Sequence, residues 1–151
     1  IDEQYAFEVV HLVLQASRQQ ALDLLTRYYA AFNAGDAAGM LACVTDDIEH
    51  RVNEGGIRHG KTKFAEFCSH MGVSYREELK DMVIFADATG TRGAAEFVVH
   101  GTYLTTDAGL PEAKGQTYIL PAGGFFDLRD GKIARVTTFY NLNDWIAQVS
   151  A

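Results

Sequence analysis

Scarcity carries the first information in this chain. Only two cysteines occur, Cys43 and Cys68. Both sit in stretches with helical patterning and lack the pairing or metal-ligand spacing of a disulfide framework or zinc site, so they read as core thiols of a reducing cytoplasm. Basic residues are outnumbered, 13 Lys and Arg against 20 Asp and Glu, for a net charge of -7 and a pI near 5.1. Nucleic acids and anionic membranes require a clustered cationic face, and none is visible. Long apolar runs are missing as well. The most apolar, Val9-Val10-His11-Leu12-Val13-Leu14, is too short to span a bilayer, and Asp2, Glu3 and Glu8 stand where a secretory signal carries positive charge. Pro111 and Pro121 are the only prolines, and no repeat, linker or low-complexity segment is present. The expectation is a cytoplasmic protein with no nucleic-acid or membrane partner and no cofactor.

What is present is enough for one well-packed domain: 151 residues, 48% of them hydrophobic. Leu24, Leu25, Tyr28, Tyr29 and Phe32 recur at the spacing of a helix with one buried face, and Asn33-Ala34-Gly35 supplies its stop. Asp36 can cap a second short helix to Val44, and Thr45-Asp46-Asp47 turns the chain into a strand from Ile48 to about Glu54. Thr62 can cap a third helix, Lys63 to Met71. From Tyr75 the period changes to that of long strands: Tyr75–Ala86, Arg92–Tyr103, Gly115–Leu128 and Lys132–Tyr140, read as one antiparallel sheet. Asn143 caps a last helix, Asp144 to Val149. Residues 1–20 read as a helical extension that runs into the helix at Ala21 or kinks before it near Ser17, with residues 21–151 as the domain.

Three helices followed by a long meander make an α+β domain whose sheet must twist and curl. A helix laid over the concave side of such a sheet leaves a central pocket, the natural place for chemistry. Gly123-Gly124 suggests a close approach or a bulge that bends the sheet. Its convex side carries apolar residues that need covering, so a homodimer is expected.

Which side chains enter the pocket depends on strand parity. Along Ala94–Tyr103, one face carries Ala95, Phe97, Val99 and Gly101, and the other carries Glu96, Val98, His100 and Thr102. The first strand offers His50, Val52 and Glu54 against Glu49, Arg51 and Asn53. The last offers Val136, Thr138 and Tyr140 against Arg135, Thr137 and Phe139. Parity alone leaves both registers open. Phe64, Phe67, Met71, Tyr118, Phe125 and Phe139 are available as apolar walls, and His11, His59 and His70 read as surface or packing residues. Histidines at 50 and 100 with a carboxylate at 96 also have the right ligand types for a metal, but nothing in their spacing calls for one, and no metal is expected.

Several strings carry a resemblance. Arg27-Tyr28-Tyr29-Ala30-Ala31-Phe32-Asn33-Ala34-Gly35-Asp36 followed by Thr45-Asp46-Asp47 resembles the start of the Δ5-3-ketosteroid isomerases. Gly93-Ala94-Ala95-Glu96-Phe97-Val98-Val99-His100-Gly101-Thr102-Tyr103 with Gly124-Phe125-Phe126-Asp127-Leu128-Arg129-Asp130-Gly131-Lys132-Ile133 resembles the polyketide cyclases of the same cone-shaped, nuclear-transport-factor-like superfamily. The resemblance implies that Tyr28 is an oxyanion-hole donor and that His50, Thr138 and Tyr140 point inward. It places the isomerases' aspartate base at Val52 or Asn53 and their second oxyanion donor at Gly123, and none of these residues can replace the missing acid. The strand histidine of scytalone-dehydratase-like proteins falls at His100. The resulting expectation is a small cofactor-independent isomerase, dehydratase or cyclase acting on an apolar carbonyl compound. Tyr28, His50, Glu96 and His100 would be catalytic, with Val52, Asn53, Phe64, Val98, Tyr118, Thr138 and Tyr140 around the substrate. The alternative is a non-catalytic ligand-binding or dimerisation domain of the same fold.

Overall fold

The computed structural model describes residues 2–151. Asp2 caps the first helix, α1 (Glu3–Asn33), by accepting a hydrogen bond from the Gln4 amide at 2.9 Å. No glycine or proline interrupts the next 31 residues, so α1 runs on without a break at Ser17, whose hydroxyl bonds back to the Val13 carbonyl. Ser17 is also where α1 reaches the body of the molecule: the turn at Gly90 lies against its carbonyl, so closely that a side chain at Gly90 would overlap it. The rest of residues 3–20 is exposed, and burial starts at Ala21 and continues through Leu24, Leu25, Tyr28 and Tyr29. Gly35, at φ 68°, ends the helix with the left-handed residue its sequence called for.

Two short helices and a split strand follow: α2 (Ala37–Ala42), β1 (Val44–Val52), β2 (Arg58–His59) and α3 (Lys61–Ser74). Several details differ from the sequence reading: β1 starts at Val44, so Thr45-Asp46-Asp47 lie in the strand and not in a turn before it, and α3 runs through Gly72 to Ser74. The two-residue β2 is an added edge, formed because the chain returns antiparallel beside His50 and Glu49. The third helix starts earlier, with Gly60 at its N-cap and no capping side chain, so Thr62 lies inside it. Strands β3 (Tyr75–Ala86), β4 (Arg92–Tyr103), β5 (Thr117–Arg129) and β6 (Lys132–Tyr140) follow in a meander. The chain ends in α4 (Leu142–Ser150), capped by Asn141 rather than Asn143, with the Asn141 side chain accepting from the Asp144 amide.

The sheet order is β2-β1-β6-β5-β4-β3. All neighbours are antiparallel except β1 and β6, which pair in parallel, an arrangement that the long connection through β2, α3 and the strands β3 to β5 permits. Register shifts in β3 between Lys80 and Val83, and between β5 and β6 at Asp127–Leu128, break the flat ladder and let the sheet curl. At the first of these, Asp81 takes a positive φ of 55°. Gly124 has its ladder intact, and what it admits is the Tyr29 hydroxyl, which would lie 2.9 Å from a Cβ at that position. The Asn33 side chain, at the end of α1, donates to the Leu79 carbonyl and accepts from the Leu79 amide, pinning the helix to the β3 edge. The core fills the space between α1 and the concave face, with Leu25, Ile48, Phe64, Tyr103 and Phe126 almost wholly buried.

Candidate functional site

The concave side holds a cavity of about 340 Å3, a size at the lower end of ordinary ligand sites. Its walls are mostly aromatic and aliphatic: Tyr28, Tyr29 and Phe32 from α1, Phe64, Phe67 and Met71 from α3, Phe97 and Val99 from β4, and Trp145 from α4. The i, i+3, i+4 stripes of α1 and α3 and the alternate residues of the strands bring these side chains to one place.

Polar groups enter this apolar space at a few positions. Tyr28 is 5% exposed and its hydroxyl makes no hydrogen bond among the described residues; burial, and then the neighbouring Tyr29, push its pKa well above the usual phenol range. His50 is 3% exposed, wedged between Phe64 and Phe67 with ring centroids 5.1 and 4.3 Å away. Its Nδ1 has no partner, and burial, helped by the Arg58 charge, lowers its pKa to about 4, so the ring is neutral at pH 7. Arg58 also lines the cavity, its guanidinium 4.6 Å above the Phe67 ring.

Glu77 of β3 is the carboxylate of the interior, and sequence reasoning missed it. Burial raises its pKa, while the Tyr118 hydroxyl, donating at 2.6 Å, works the other way. Glu77, Gly101 and Tyr118 are direct register partners on β3, β4 and β5. The missing side chain of Gly101 leaves the Tyr118 ring room to lie across β4 and reach Glu77; a Cβ there would overlap the ring. A second acid, Asp107, lies in the loop after β4 and is held by the Tyr75 hydroxyl at 2.7 Å and by His70 Nε2 at 3.1 Å. Burial works to raise its pKa, but these two hydrogen bonds prevail and hold it below the usual carboxylate range. His70, which the sequence suggested was a surface or packing residue, is half exposed and stands with Asp107 and Leu110 on the cavity wall.

Of the expected site residues, Tyr28, His50, Val52, Phe64, Thr138 and Tyr140 line the cavity. Glu96 and His100 do not. The inward row of β4 is Ala95, Phe97, Val99, Gly101 and Tyr103, whose one polar group is the Tyr103 hydroxyl, donating to the Pro111 carbonyl, and burying that row turns Glu96, Val98 and His100 to the convex face. Glu96 and Val98 border a shallow depression on that outer side. Asn53 serves the backbone instead: at φ 51° its amide donates to the Thr138 carbonyl and its side chain accepts from the Tyr140 amide, locking β1 to β6. Tyr118 supports Glu77 from behind the cavity wall rather than lining it. Phe125 and Phe139 lie on the convex side, 49% and 44% exposed, so they are not cavity walls. No group of His, Cys, Asp and Glu among the described residues could hold a metal ion, and no described helix is long and apolar enough to cross a membrane.

A curled six-stranded sheet packed with four helices, around an apolar cavity that carries a few acids and phenols, defines the class, and comparison with known proteins narrows it. The chain belongs to the SnoaL-like family, whose domain matches residues 25–136. A crystal structure named “putative polyketide cyclase” from Silicibacter sp. TM1040 is 65% identical, with 89% of this chain and 98% of that one covered and a TM-score of 0.86. Another of that name from Xanthomonas campestris is 55% identical over 88% of this chain and 98% of that one, with a TM-score of 0.85. An epoxide hydrolase from M. tuberculosis shares the fold, with a TM-score of 0.68 at 15% identity over 88% of this chain and 91% of that one. No curated protein matches the sequence.

Proposed function

We propose that the domain formed by residues 21–151 is a cofactor-independent acid/base enzyme of the isomerase or cyclase type, acting on a small carbonyl compound in the concave cavity. The observation that carries this reading is Glu77, a carboxylate whose pKa burial raises, set in an aromatic cavity that also presents the unpaired Tyr28 hydroxyl. A carboxylate so placed is a stronger base than one in water, and a phenol in a dry site stabilises an oxyanion strongly. In the scheme, a Glu77 oxygen takes a proton from the carbon beside a carbonyl. The C–H bonding pair becomes the enolate, and Tyr28 donates a hydrogen bond to the enolate oxygen. Return of the proton from Glu77 to another carbon completes an isomerisation. Attack of the enolate carbon on a second carbonyl, with the proton passing to the new alkoxide, completes a cyclisation. His50, neutral at pH 7, acts as a hydrogen-bonding group rather than as a charged acid.

The names of the close relatives support the cyclase side of this proposal. Two free cysteines support a cytoplasmic setting. Exposed Val83, Phe85, Ile119, Phe125 and Phe139 on the strands support a homodimer through the convex face, which sedimentation at micromolar concentration would test. The chemistry is tested by incubating the protein in D2O with a panel of cyclic ketones and β-diketones and following α-deuteration by NMR. Enzyme-dependent exchange that disappears in Glu77→Gln is expected. Exchange at the same rate in that variant would remove Glu77 from the scheme, and ligand binding without any exchange would favour a binding domain.

A further inference from the structure

The cavity holds one cation that no acid answers. Arg58 lines it, half-buried, yet no carboxylate among the described residues lies within ion-pair distance of its guanidinium and its side chain donates no hydrogen bond within the chain. Arg92, Arg129 and Arg135 of the sheet each pair with an aspartate, and Arg51 and Arg76, which have no acid partner, are exposed to water, so Arg58 alone is an unpaired arginine on the cavity wall. Its guanidinium carbon sits 4.6 Å over the centre of the Phe67 ring, a cation–π contact that uses none of its N–H donors. Beside it, His50 is the direct register partner of Arg58 across the β1–β2 pair, nine-tenths buried, with an unpartnered ring nitrogen. A buried polar atom without a partner is unfavourable until something binds it.

We propose that Arg58 and His50 form a carboxylate subsite, so that the substrate of this cavity is a small aromatic or alicyclic acid that also carries the reacting ketone, rather than a neutral carbonyl compound. The inference rests on the acid/base reading above and names its substrate class. One planar guanidinium matches one carboxylate with two parallel hydrogen bonds, and the aromatic walls suit an apolar body. A phosphate dianion would need more donors than this end supplies. The acids of the cavity do not compete for Arg58, since Tyr118 holds Glu77 and Tyr75 with His70 holds Asp107. They also belong to β3 and the loop after β4, whereas Arg58 lies on β2, at the other edge of the sheet. A ligand anchored by its carboxylate at β2 is thereby oriented, with the remainder of its skeleton free to meet the polar groups beyond.

Calorimetric titration of the whole chain with 2-naphthoate and with the neutral isostere 2-naphthamide tests this. The acid is expected to bind about ten-fold more tightly or better, because hydrogen bonds to a charged group are at stake. In Arg58→Gln the preference should fall to about two-fold or less, and Arg58→Lys should keep part of it, as a point charge without the fork does. Equal binding of acid and amide to the unaltered protein, or no binding of either at millimolar concentration, overturns the subsite without recourse to any variant. So does a preference that survives in a folded Arg58→Gln protein. Loss of the acid preference with Glu77-dependent exchange intact would overturn the subsite alone. An intact preference with no exchange would overturn the acid/base chemistry alone.

Discussion

The two faces of β4 carry opposite lessons about polar residues. On the convex face, Glu96 and His100 are an acid and a base four residues apart on one strand, bordered by Val98 and by Pro121 and Ile119 of β5. On the concave face the same strand contributes only Phe97, Val99, Gly101 and their neighbours, and the acid arrives from the next strand as Glu77. A pair of reactive residue types on a strand is ordinary where water solvates it. A single carboxylate becomes chemically distinctive where burial shifts its equilibrium and one phenol holds it.

The sharpest way to break that contrast is to neutralise the acid on each face. Glu77→Gln should lower the α-deuteration rate by about 10²–10⁴-fold, the usual range for a lost general base, while Glu96→Gln leaves it unchanged. The reverse outcome would move the chemistry to the convex side. Next in size, Tyr28→Phe removes the unpaired donor and should cost about 10²-fold, as removal of one oxyanion donor does; His100→Gln, measured in the same assay, should have no effect.

His50 extends the comparison to stability. Its folded pKa of about 4 lies below the ordinary 6.5 because burial penalises the charged ring. The unfolded chain therefore binds a proton first as pH falls, so stability is lost between about pH 6.5 and pH 4 and levels off below. The difference is worth roughly 3 kcal/mol. Urea titrations across that window should show a fall that is smaller by about this amount in His50→Gln. The least costly change is expected at Gly101: Gly101→Ala puts a Cβ into the Tyr118 ring and should destabilise by about 1–3 kcal/mol, read from the urea midpoint.

Much of the architecture was legible because it follows local rules. The strands Tyr75–Ala86, Arg92–Tyr103 and Lys132–Tyr140 have the bounds that their alternation and flanking turns imply, and Gly35 ends α1 where a left-handed residue was called for. The β2 edge was not legible, since two residues have no periodicity to show. The candidate site was legible in part. Tyr28 and His50 reach the cavity, but assigning the polar parity of β4 to the inside ran against the simplest signal in that strand, an inward row with no polar side chain except a buried tyrosine hydroxyl. Glu77 was hidden for the opposite reason. It lies among Arg76, Glu78 and Lys80, so its run reads as solvated, and only the spacing Tyr75, Glu77, Leu79 marks it as a member of the inner row. His70 follows Phe67 by three positions, which puts it on the cavity stripe of α3.

The vacancy at Gly101 reaches beyond its own strand. Because the Tyr118 ring occupies the space over Gly101 in order to hold Glu77, positions 77, 101 and 118 form one row in which no member varies freely. A side chain at 101 evicts the ring, an evicted ring leaves the carboxyl without its donor, and a neutral residue at 77 removes the reason for both. Descendants of this sequence would be expected to keep the three together or to lose them together.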